Sequence, residues 1–171
     1  MTPRKADTGP QLLQMPPRKM AVMSARGAPD RVFTEVMPLL YGAVYTYKFA
    51  LKKKGLPTFK VEPPRARYPD AHLVPKDQWT IVLGLPVPDD TTELPDAGRP
   101  VKVETWEYGT VAQILHTGAY DRETSNIQRL REFIEENGYE IAGDHEEEYL
   151  TRPGAKAPKT IIRYPVRKKP G

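Results

Sequence analysis

Apolar and polar residues along the chain follow two different periods. Residues 19–25 and 79–87 are short, mostly apolar runs bounded by polar residues or Pro, as is typical of strands. Between these runs, apolar side chains recur at three- and four-residue intervals, which predicts one long amphipathic helix. The helix positions are Phe33, Met37, Leu40, Val44, Tyr47 and Leu51.

The residues that flank this pattern predict where the helix begins and ends. Asp30 is a candidate N-cap, because its carboxylate can accept hydrogen bonds from the first backbone amides. Pro38 falls inside the pattern, so the helix either begins after Pro38 or kinks there. Gly55 is the expected C-terminal stop. A further strand is predicted over residues 58–67, before the strand at 79–87.

The second half of the chain shows the same succession of patterns. Ile127, Leu130 and Ile134 form the stripe of an amphipathic helix that ends at Gly138. Strands are predicted before this helix at 102–106 and 110–117, with a break at Tyr108-Gly109, and after it at 146–150 and 160–166. If residues 102–117 are counted as one interrupted strand, each half contains a strand, a helix and two further strands.

Short stretches of sequence recur at equivalent places in the two halves. Residues 27–31 resemble residues 118–122, and residues 79–82 resemble residues 159–162. Ordered repeats of this kind indicate an internal duplication. Neither half is long enough to bury a sizeable core alone, so we expect the halves to share one sheet. The predicted fold class is α+β, with duplicated β-α-β-β units forming one antiparallel sheet, two main helices and a cleft between the halves.

This duplication sets the expected domain organisation. We expect a single domain over residues 11–166, with pseudo-repeats at 11–90 and 100–166. Residues 1–10 are expected to be a disordered tail and residues 167–171 a basic tail. These two tails carry the whole net charge of +4, whereas a nucleic-acid-binding domain concentrates basic charge on a folded face. No nucleic-acid partner is therefore expected.

Composition removes several kinds of chemistry. The chain has no Cys, which excludes disulfides, thiolate metal sites and a Cys nucleophile, and which fits a reducing cytoplasm. No apolar run approaches the roughly 20 residues of a membrane span, so no membrane partner is expected. His72, His116 and His145 are too scattered to indicate a metal site, and neither a metal nor a cofactor is expected. His116 is expected to form structural hydrogen bonds near the turn at Gly118.

Four sequence elements in the second half resemble the GyrI-like small-molecule-binding family. This family includes gyrase-inhibitor-like proteins and the ligand domains of some multidrug-responsive regulators. The elements follow the family's order over most of residues 100–166, and the first half is similar through its long helix. The matching residues are His116, Gly118 and Tyr120; Gly138 and Tyr139; Glu147, Tyr149, Leu150 and Pro153; Thr160, Ile162, Pro165 and Val166; and, on the long helix, Tyr41, Tyr45 and Lys48.

This resemblance implies a duplicated β-α-β-β fold in which Glu147 and aromatic side chains line a cleft between the halves. A subset of the family is associated with hydrolysis of cyclopropane-containing genotoxins, and the first helix of this chain resembles that subset. Two positions depart from the pattern, because Arg152 stands where Asp is common and residues 63–69 match the subset poorly. Regulators in the family carry a DNA-binding module, which we do not expect in this chain.

The candidate functional carboxylate lies in a run of three acidic residues on a predicted strand. Strand alternation places Glu146 and Glu148 on one face and Glu147 on the other, together with Tyr149. A carboxylate among aromatic rings can attract a cation, position water or take a proton. Glu147 and Tyr149 are therefore the candidate ligand-binding pair, and the candidate catalytic pair if the protein is an enzyme. The alternative is a solvated acidic strand edge.

Further aromatic residues are candidate ligand contacts. Tyr41 and Tyr45 are four residues apart, so they share a helix face, and a Tyr side chain combines an apolar ring with a hydroxyl. The alternative for this pair is ordinary surface packing. The remaining candidates are Tyr68, Trp106 and Tyr120.

These features leave three candidate functions. The first is capture of a hydrophobic or cationic small molecule, for the sensing or sequestration of a drug or toxin. The second is a hydrolase that adds water to a strained electrophilic ring, with Glu147 directing the water or the protons. The third is a protein-interaction or toxin-protection role with an unknown protein partner, in which the basic tails would contribute.

Overall fold

A computed structural model of the chain describes residues 9–171. Residues 1–8, which belong to the expected disordered tail, lie outside the described residues. The described chain divides into two compact units. The N-terminal unit is Pro17–Glu107, and the C-terminal unit joins the described residues up to Pro16 to Tyr108–Gly171.

The described residues form nine strands and two α-helices. The helices are α1 (Pro29–Lys53) and α2 (Thr124–Glu136). The strands are β1 (Gln11–Met15), β2 (Arg18–Arg26), β3 (Arg65–Tyr68), β4 (Thr80–Pro86), β5 (Lys102–Trp106), β6 (Gly109–Thr117), β7 (Tyr139–Ile141), β8 (His145–Tyr149) and β9 (Lys159–Lys168). Strands within each unit pair antiparallel, and the α+β fold class is confirmed. Neither helix in this part of the chain combines the length and apolar character needed to cross a membrane.

In the N-terminal unit the strand order is β5-β2-β4-β3, and α1 packs on β2 and β4. The predicted core residues Leu40 and Val44 are buried. Phe33 and Met37 are only half-buried, because the buried stripe of α1 runs one residue earlier than predicted. The buried side chains of α1 are Val32, Val36, Leu40, Ala43 and Val44.

Helix α1 begins before its predicted capping residue. Its N-cap is Ala28, so Asp30 lies inside the first turn and the prediction that Asp30 caps the helix is wrong. Pro is favourable at the first helical position because the missing amide would have no intrahelical partner there. Pro38 lies within the helix rather than at its start. Gly55 follows the helix with a φ of +73°, which confirms the predicted glycine stop.

In the C-terminal unit the strand order is β1-β6-β9-β8, and β7 also pairs with β9. Strands β6, β9 and β8 thus pair in the same order as β2, β4 and β3 of the N-terminal unit. A β-α-β-β repeat predicts this shared strand order. The duplication itself stays a prediction. Helix α2 covers a core formed by Ala112, Ile114, Leu130, Ile134, Ile162, Tyr164 and Val166.

Several strand boundaries differ from the sequence-based expectation. Strand β3 covers only Arg65–Tyr68 of the region predicted from residue 58, because Pro63 and Pro64 have no amide to donate to a ladder. Strand β9 continues to Lys168, so the predicted basic tail begins inside a strand. Arg167 donates there to Glu140 at 2.8 Å.

A turn carboxylate makes the stability of the N-terminal unit depend on pH. Asp70 accepts hydrogen bonds of 2.8 Å from both the amide and the hydroxyl of Thr80. These bonds, the backbone one foremost, hold the pKa of Asp70 below its usual range. Because folding lowers this pKa, the stabilisation is complete above the unfolded-state value of about 4 and is lost as the pH falls through the folded-state value.

We therefore expect Asp70→Asn to lower the melting temperature at neutral pH, because Asn keeps the shape of Asp but loses its charge. The difference between wild type and variant should shrink as the pH falls below about 4. Thermal unfolding between neutral and acidic pH measures this difference, and Asp77→Asn at an exposed nearby position is the matched control. A difference that stays constant through the acidic range would contradict the expected role of the Asp70 charge.

Candidate functional site

Strand β8 directs alternate side chains to opposite faces of the sheet in the C-terminal unit. Its register with β9 pairs Glu146 with Arg163 and Glu147 with Ile162. Directly opposed residues share a face, so Glu147 lies on the face of the buried Ile162, which packs beneath α2. The predicted separation of Glu147 from Glu146 and Glu148 is confirmed.

His145 and Tyr164 join Glu147 in a hydrogen-bonded chain on this face. The Nε2 atom of His145 lies 2.6 Å from Oε2 of Glu147, and its Nδ1 atom lies 2.7 Å from the hydroxyl oxygen of Tyr164. An ionised carboxylate only accepts hydrogen bonds, so Nε2 carries the proton on this side. In the neutral imidazole, Nδ1 then accepts a hydrogen bond from the Tyr164 hydroxyl. The Tyr149 hydroxyl lies 3.4 Å from the other oxygen of Glu147.

A second buried carboxylate approaches this chain from the start of α2. Glu123 is the N-cap residue of α2, yet its side chain makes no capping hydrogen bond to the helix. One oxygen of Glu123, one of Glu147 and a ring nitrogen of His145 lie within 4.8 Å of one another. Glu123 is 7% exposed and Glu147 is 8% exposed, so bulk water has little access to either carboxylate. Two carboxylates held together in this way favour a positive charge between them.

Two phenols beside these carboxylates are affected by the negative charge. Burial raises the pKa of Tyr120, and the charges of Glu123 and Glu147 raise it further. Burial also raises the pKa of Tyr164, with a contribution from the same carboxylates, while a hydrogen bond and the charge of Arg131 lower it. Both phenols therefore keep their protons at neutral pH and can donate hydrogen bonds.

Tyr120 and Tyr149 form the aromatic part of the site. Their ring centroids are 5.8 Å apart and their planes are perpendicular, which is a favourable edge-to-face geometry. Tyr120 lies in a short 3-10 turn before α2 and remains exposed. Three predicted site residues, Glu147, Tyr149 and Tyr120, are thus brought together in the C-terminal unit.

The opposite face of β8 and β9 carries a separate buried charge network. Arg163 donates to Glu146 at 2.7 Å and to Glu148 at 3.1 Å. The Tyr108 hydroxyl lies 3.0 and 3.1 Å from the two carboxylate oxygens of Glu146. Glu146 is 2% exposed and Arg163 is 3% exposed, so the alternative of a solvated acidic edge is wrong. The acidic run instead supplies a structural ion-pair network on one face and Glu147 on the other.

His116 has the structural role that its position predicts. Its Nε2 atom lies 2.8 Å from the carbonyl oxygen of Ala119, so Nε2 carries a proton and donates. The side-chain amide of Asn126 donates to Nδ1 at 2.9 Å. The buried imidazole therefore ties the turn after β6 to helix α2.

Four predicted ligand contacts belong to the N-terminal unit. Tyr41 and Tyr45 stack along α1 with their ring centroids 6.3 Å apart. Burial, followed by the charge of Tyr45, raises the pKa of Tyr41. Trp106 is 3% exposed, and the guanidinium of Arg67 lies 4.0 Å from its ring. Tyr68 is also buried, and the ligand-binding role of all four residues stays a prediction.

His145, Glu123 and Tyr164 are site residues that the sequence pattern does not predict. His145 and Glu147 are two residues apart on a predicted strand, and this spacing was a signal that the two side chains share a face. Glu123 and Tyr164 gave no such signal, because they reach Glu147 only through the packing of α2 and the register of β9. The expectation of no metal site rested on the spacing of the histidines and took no account of carboxylates brought in by folding.

Together, the fold and this site define a small α+β protein with a carboxylate, an imidazole and phenols on one face of a sheet. The family model of the GyrI-like small molecule binding domain matches residues 8–166. The chain therefore belongs to the GyrI-like family of small-molecule-binding domains, and the resemblance seen in its sequence is confirmed. No curated protein matches the chain.

Solved structures share this fold over almost the whole chain. An uncharacterized conserved protein from Listeria innocua is 25% identical, with a TM-score of 0.82 over 94% of this chain and 93% of that one. A hydrolase from Listeria innocua is 22% identical, with a TM-score of 0.79 over 97% of this chain and 94% of that one. The C-terminal domain of EcmrR is 15% identical, with a TM-score of 0.68 over 94% of this chain and 98% of that one. The last two similarities concern the fold alone.

Proposed function

We propose that Glu147 binds the positive charge of a hydrophobic small molecule, whose apolar part contacts Tyr120 and Tyr149. The observation that carries this proposal is a buried Glu147 carboxylate beside an exposed aromatic ring. A carboxylate held away from water gains free energy when a cation approaches it, and aromatic faces also attract cations. The biological role we infer is the sensing or sequestration of a drug or toxin.

The charges around Glu147 support a preference for cations. Glu123 places a second carboxylate within 4.8 Å of the Glu147–His145 pair. Arg131 also lies near this group, since it donates a hydrogen bond to Tyr164 and its charge opposes the rise that burial causes in the pKa of Tyr164. Two buried carboxylates this close together favour a positive charge between them. A ligand that carries a positive charge therefore binds more tightly than an uncharged ligand of the same shape.

A matched pair of ligands tests this preference directly. The pair is an aromatic quaternary ammonium ion and its neutral isostere, in which carbon replaces nitrogen. We expect wild type to bind the cation more tightly by about tenfold or more, because both the buried carboxylate and the aromatic faces attract the charge, and tenfold corresponds to about 1.4 kcal/mol. Glu147→Gln should remove most of this preference while leaving the affinity for the neutral ligand largely unchanged. Isothermal titration calorimetry measures both affinities.

A substitution of a distant carboxylate shows whether the preference for the cation depends on Glu147 itself or only on the net charge of the protein. Glu132 is exposed on α2, and Glu132→Gln removes the same charge away from the Glu147 cluster. We expect this control to retain the preference for the cation. Equal affinities of wild type for the cation and the neutral isostere would show that Glu147 is not the ligand-binding carboxylate.

A second candidate function is hydrolysis, which the short His145–Glu147 contact favours. The 2.6 Å separation of Nε2 and Oε2 places an acid–base pair beside the Tyr149 hydroxyl. In this reaction, Glu147 accepts a proton from water as the water oxygen bonds to an electrophilic carbon of the ligand. The bond from that carbon to its leaving atom breaks, and the leaving atom takes a proton from Tyr149. Glu147 then passes its proton to Tyr149, whose hydroxyl lies 3.4 Å from the carboxylate, and both side chains return to their starting forms.

Mass spectrometry distinguishes this reaction from passive binding. Wild type and Glu147→Gln are each incubated with a cyclopropane-bearing alkylating compound. A product that has gained one water with wild type alone would establish a hydrolase. Ligand recovered unchanged from both proteins would exclude hydrolysis of that compound and favour capture.

A further inference from the structure

We propose that Glu123, His145 and Glu147 form a binding site for one divalent transition-metal ion. One ligand atom from each residue lies within 4.8 Å of the others, so a single ion can contact all three after small side-chain movements. Two carboxylate oxygens and one imidazole nitrogen are suitable ligands for Zn²⁺ and for related first-row metals. Three protein ligands leave at least one coordination position open, as in metal sites that bind water or a ligand.

The burial of these groups favours a metal over a chance surface cluster. Both carboxylates are more than nine-tenths buried, and like charges at this separation repel each other in a medium of low dielectric constant. A divalent cation bound between the two carboxylates removes that repulsion. Exposed acidic clusters lack this driving force, because water already solvates their charges.

Tyr164 supplies the outer contact that a histidine ligand requires. Metal-binding imidazoles usually donate their second ring N–H to a fixed acceptor, which orients the ring. The Tyr164 oxygen lies 2.7 Å from Nδ1 of His145, and the ring of Tyr164 is part of the core beneath α2. When a metal replaces the proton on Nε2, the imidazole takes the tautomer with Nδ1–H. That N–H donates to the Tyr164 oxygen, and the Tyr164 hydroxyl rotates so that its proton no longer points toward Nδ1.

The three ligands lie on regular elements that hold them in place. His145 and Glu147 are successive residues on one face of β8, which pairs with β9. Glu123 begins α2, where its carbonyl oxygen accepts the first helical hydrogen bond from Ile127 at 2.9 Å. Its side chain makes no capping bond with α2 and extends instead toward the other two ligands. The site therefore requires movement of side chains but not of backbone.

Zinc titration of the full chain tests this site without any organic ligand. Protein dialysed against EDTA is titrated with Zn²⁺ by calorimetry, and Co²⁺ absorption reports imidazole coordination. We expect one equivalent of Zn²⁺ to bind wild type, whereas Mg²⁺ binds poorly because it prefers oxygen ligands. Glu123→Gln and His145→Gln should each weaken Zn²⁺ binding by at least tenfold. Tyr164→Phe, which removes the contact with His145 and the hydrogen bond with Arg131 but no metal ligand, should weaken it by about 10- to 100-fold.

A histidine far from the cluster provides the matched control. His72 is exposed in the N-terminal unit, so His72→Gln should bind Zn²⁺ as wild type does. Cooperative melting in EDTA verifies that each variant is folded, and Tyr164→Phe decides the question if Glu123→Gln fails to fold. Failure of wild type to bind Zn²⁺, or Glu123→Gln and Tyr164→Phe affinities equal to wild type, would overturn the proposal.

The metal site and the proposed binding of an organic cation share Glu147, but neither depends on the other. Binding of the quaternary ammonium ion in EDTA, without any Zn²⁺ uptake, would support the proposed function and overturn the metal site. Zn²⁺ binding without a preference for the organic cation would support the metal site and overturn the proposed function. The two titrations therefore identify which inference has failed.

Discussion

Arg163→Met is expected to lower the free energy of unfolding by about 3–5 kcal/mol, the range measured when one partner of a buried ion pair is removed. Arg163 donates to Glu146 and Glu148 within the C-terminal unit, and its Nε atom donates to Gln113 at 3.2 Å. Met occupies a similar volume but supplies no positive charge. Glu146 would keep its contact with Tyr108 and lose a buried guanidinium that lies 2.7 Å from its carboxylate. Chemical denaturation of wild type and variant measures the difference.

Arg167 provides a matched control on the same strand. It also forms an ion pair, with Glu140 at 2.8 Å, but its side chain is 70% exposed. Exposed ion pairs contribute about 0–1 kcal/mol, so Arg167→Met should be close to wild type. Similar losses for Arg163→Met and Arg167→Met would show that burial does not determine the strength of these pairs. A variant with Arg163→Met, Glu146→Gln and Glu148→Gln should recover part of the lost stability, because it no longer buries unbalanced charge.

Leu130→Ala is the second change for which we expect a large effect. Leu130 is fully buried on α2, in the cluster that contains Ile114, Ile162 and Tyr164. Removing most of its side chain loses the free energy of burial and leaves a cavity, which together cost about 2–5 kcal/mol. Denaturant unfolding should therefore show a lower midpoint with an unchanged slope.

The same substitution should also affect the candidate site. Tyr164 packs in this cluster and contacts His145 through its hydroxyl, so a cavity beneath α2 weakens the positioning of the imidazole. Leu130→Met is the control, because it nearly preserves the volume and should cost less than about 1.5 kcal/mol. Equal stability of the Ala and Met variants would contradict tight packing of α2 on the sheet.

The elements that sequence analysis predicted correctly are those with a clear local period. Ile127, Leu130 and Ile134 recur at helical spacing, and α2 forms there. Strand alternation likewise predicted that Glu146 and Glu147 would lie on opposite faces, and the register of β8 with β9 confirms it. Strands β1 and β7 were missed, because β1 shows no strict alternation of apolar and polar residues and the three residues of β7 are too few to display a period. The N-cap at Asp30 was wrong because a favourable side chain does not by itself determine where a helix begins.

Some features of the candidate site follow from neighbouring residues, and others depend on contacts between residues distant in sequence. The sequence alone determined the α+β class, both helices and the face on which Glu147 and Tyr149 lie, since backbone periodicity follows from neighbouring residues. Only the tertiary structure decided that Glu123 and Tyr164 meet His145 and Glu147. That meeting depends on how α2 packs on the strands and how β9 aligns with β8, and such contacts join residues distant in sequence. It also decided that Arg163 pairs with Glu146 and Glu148, because cross-strand register is a property of the folded sheet.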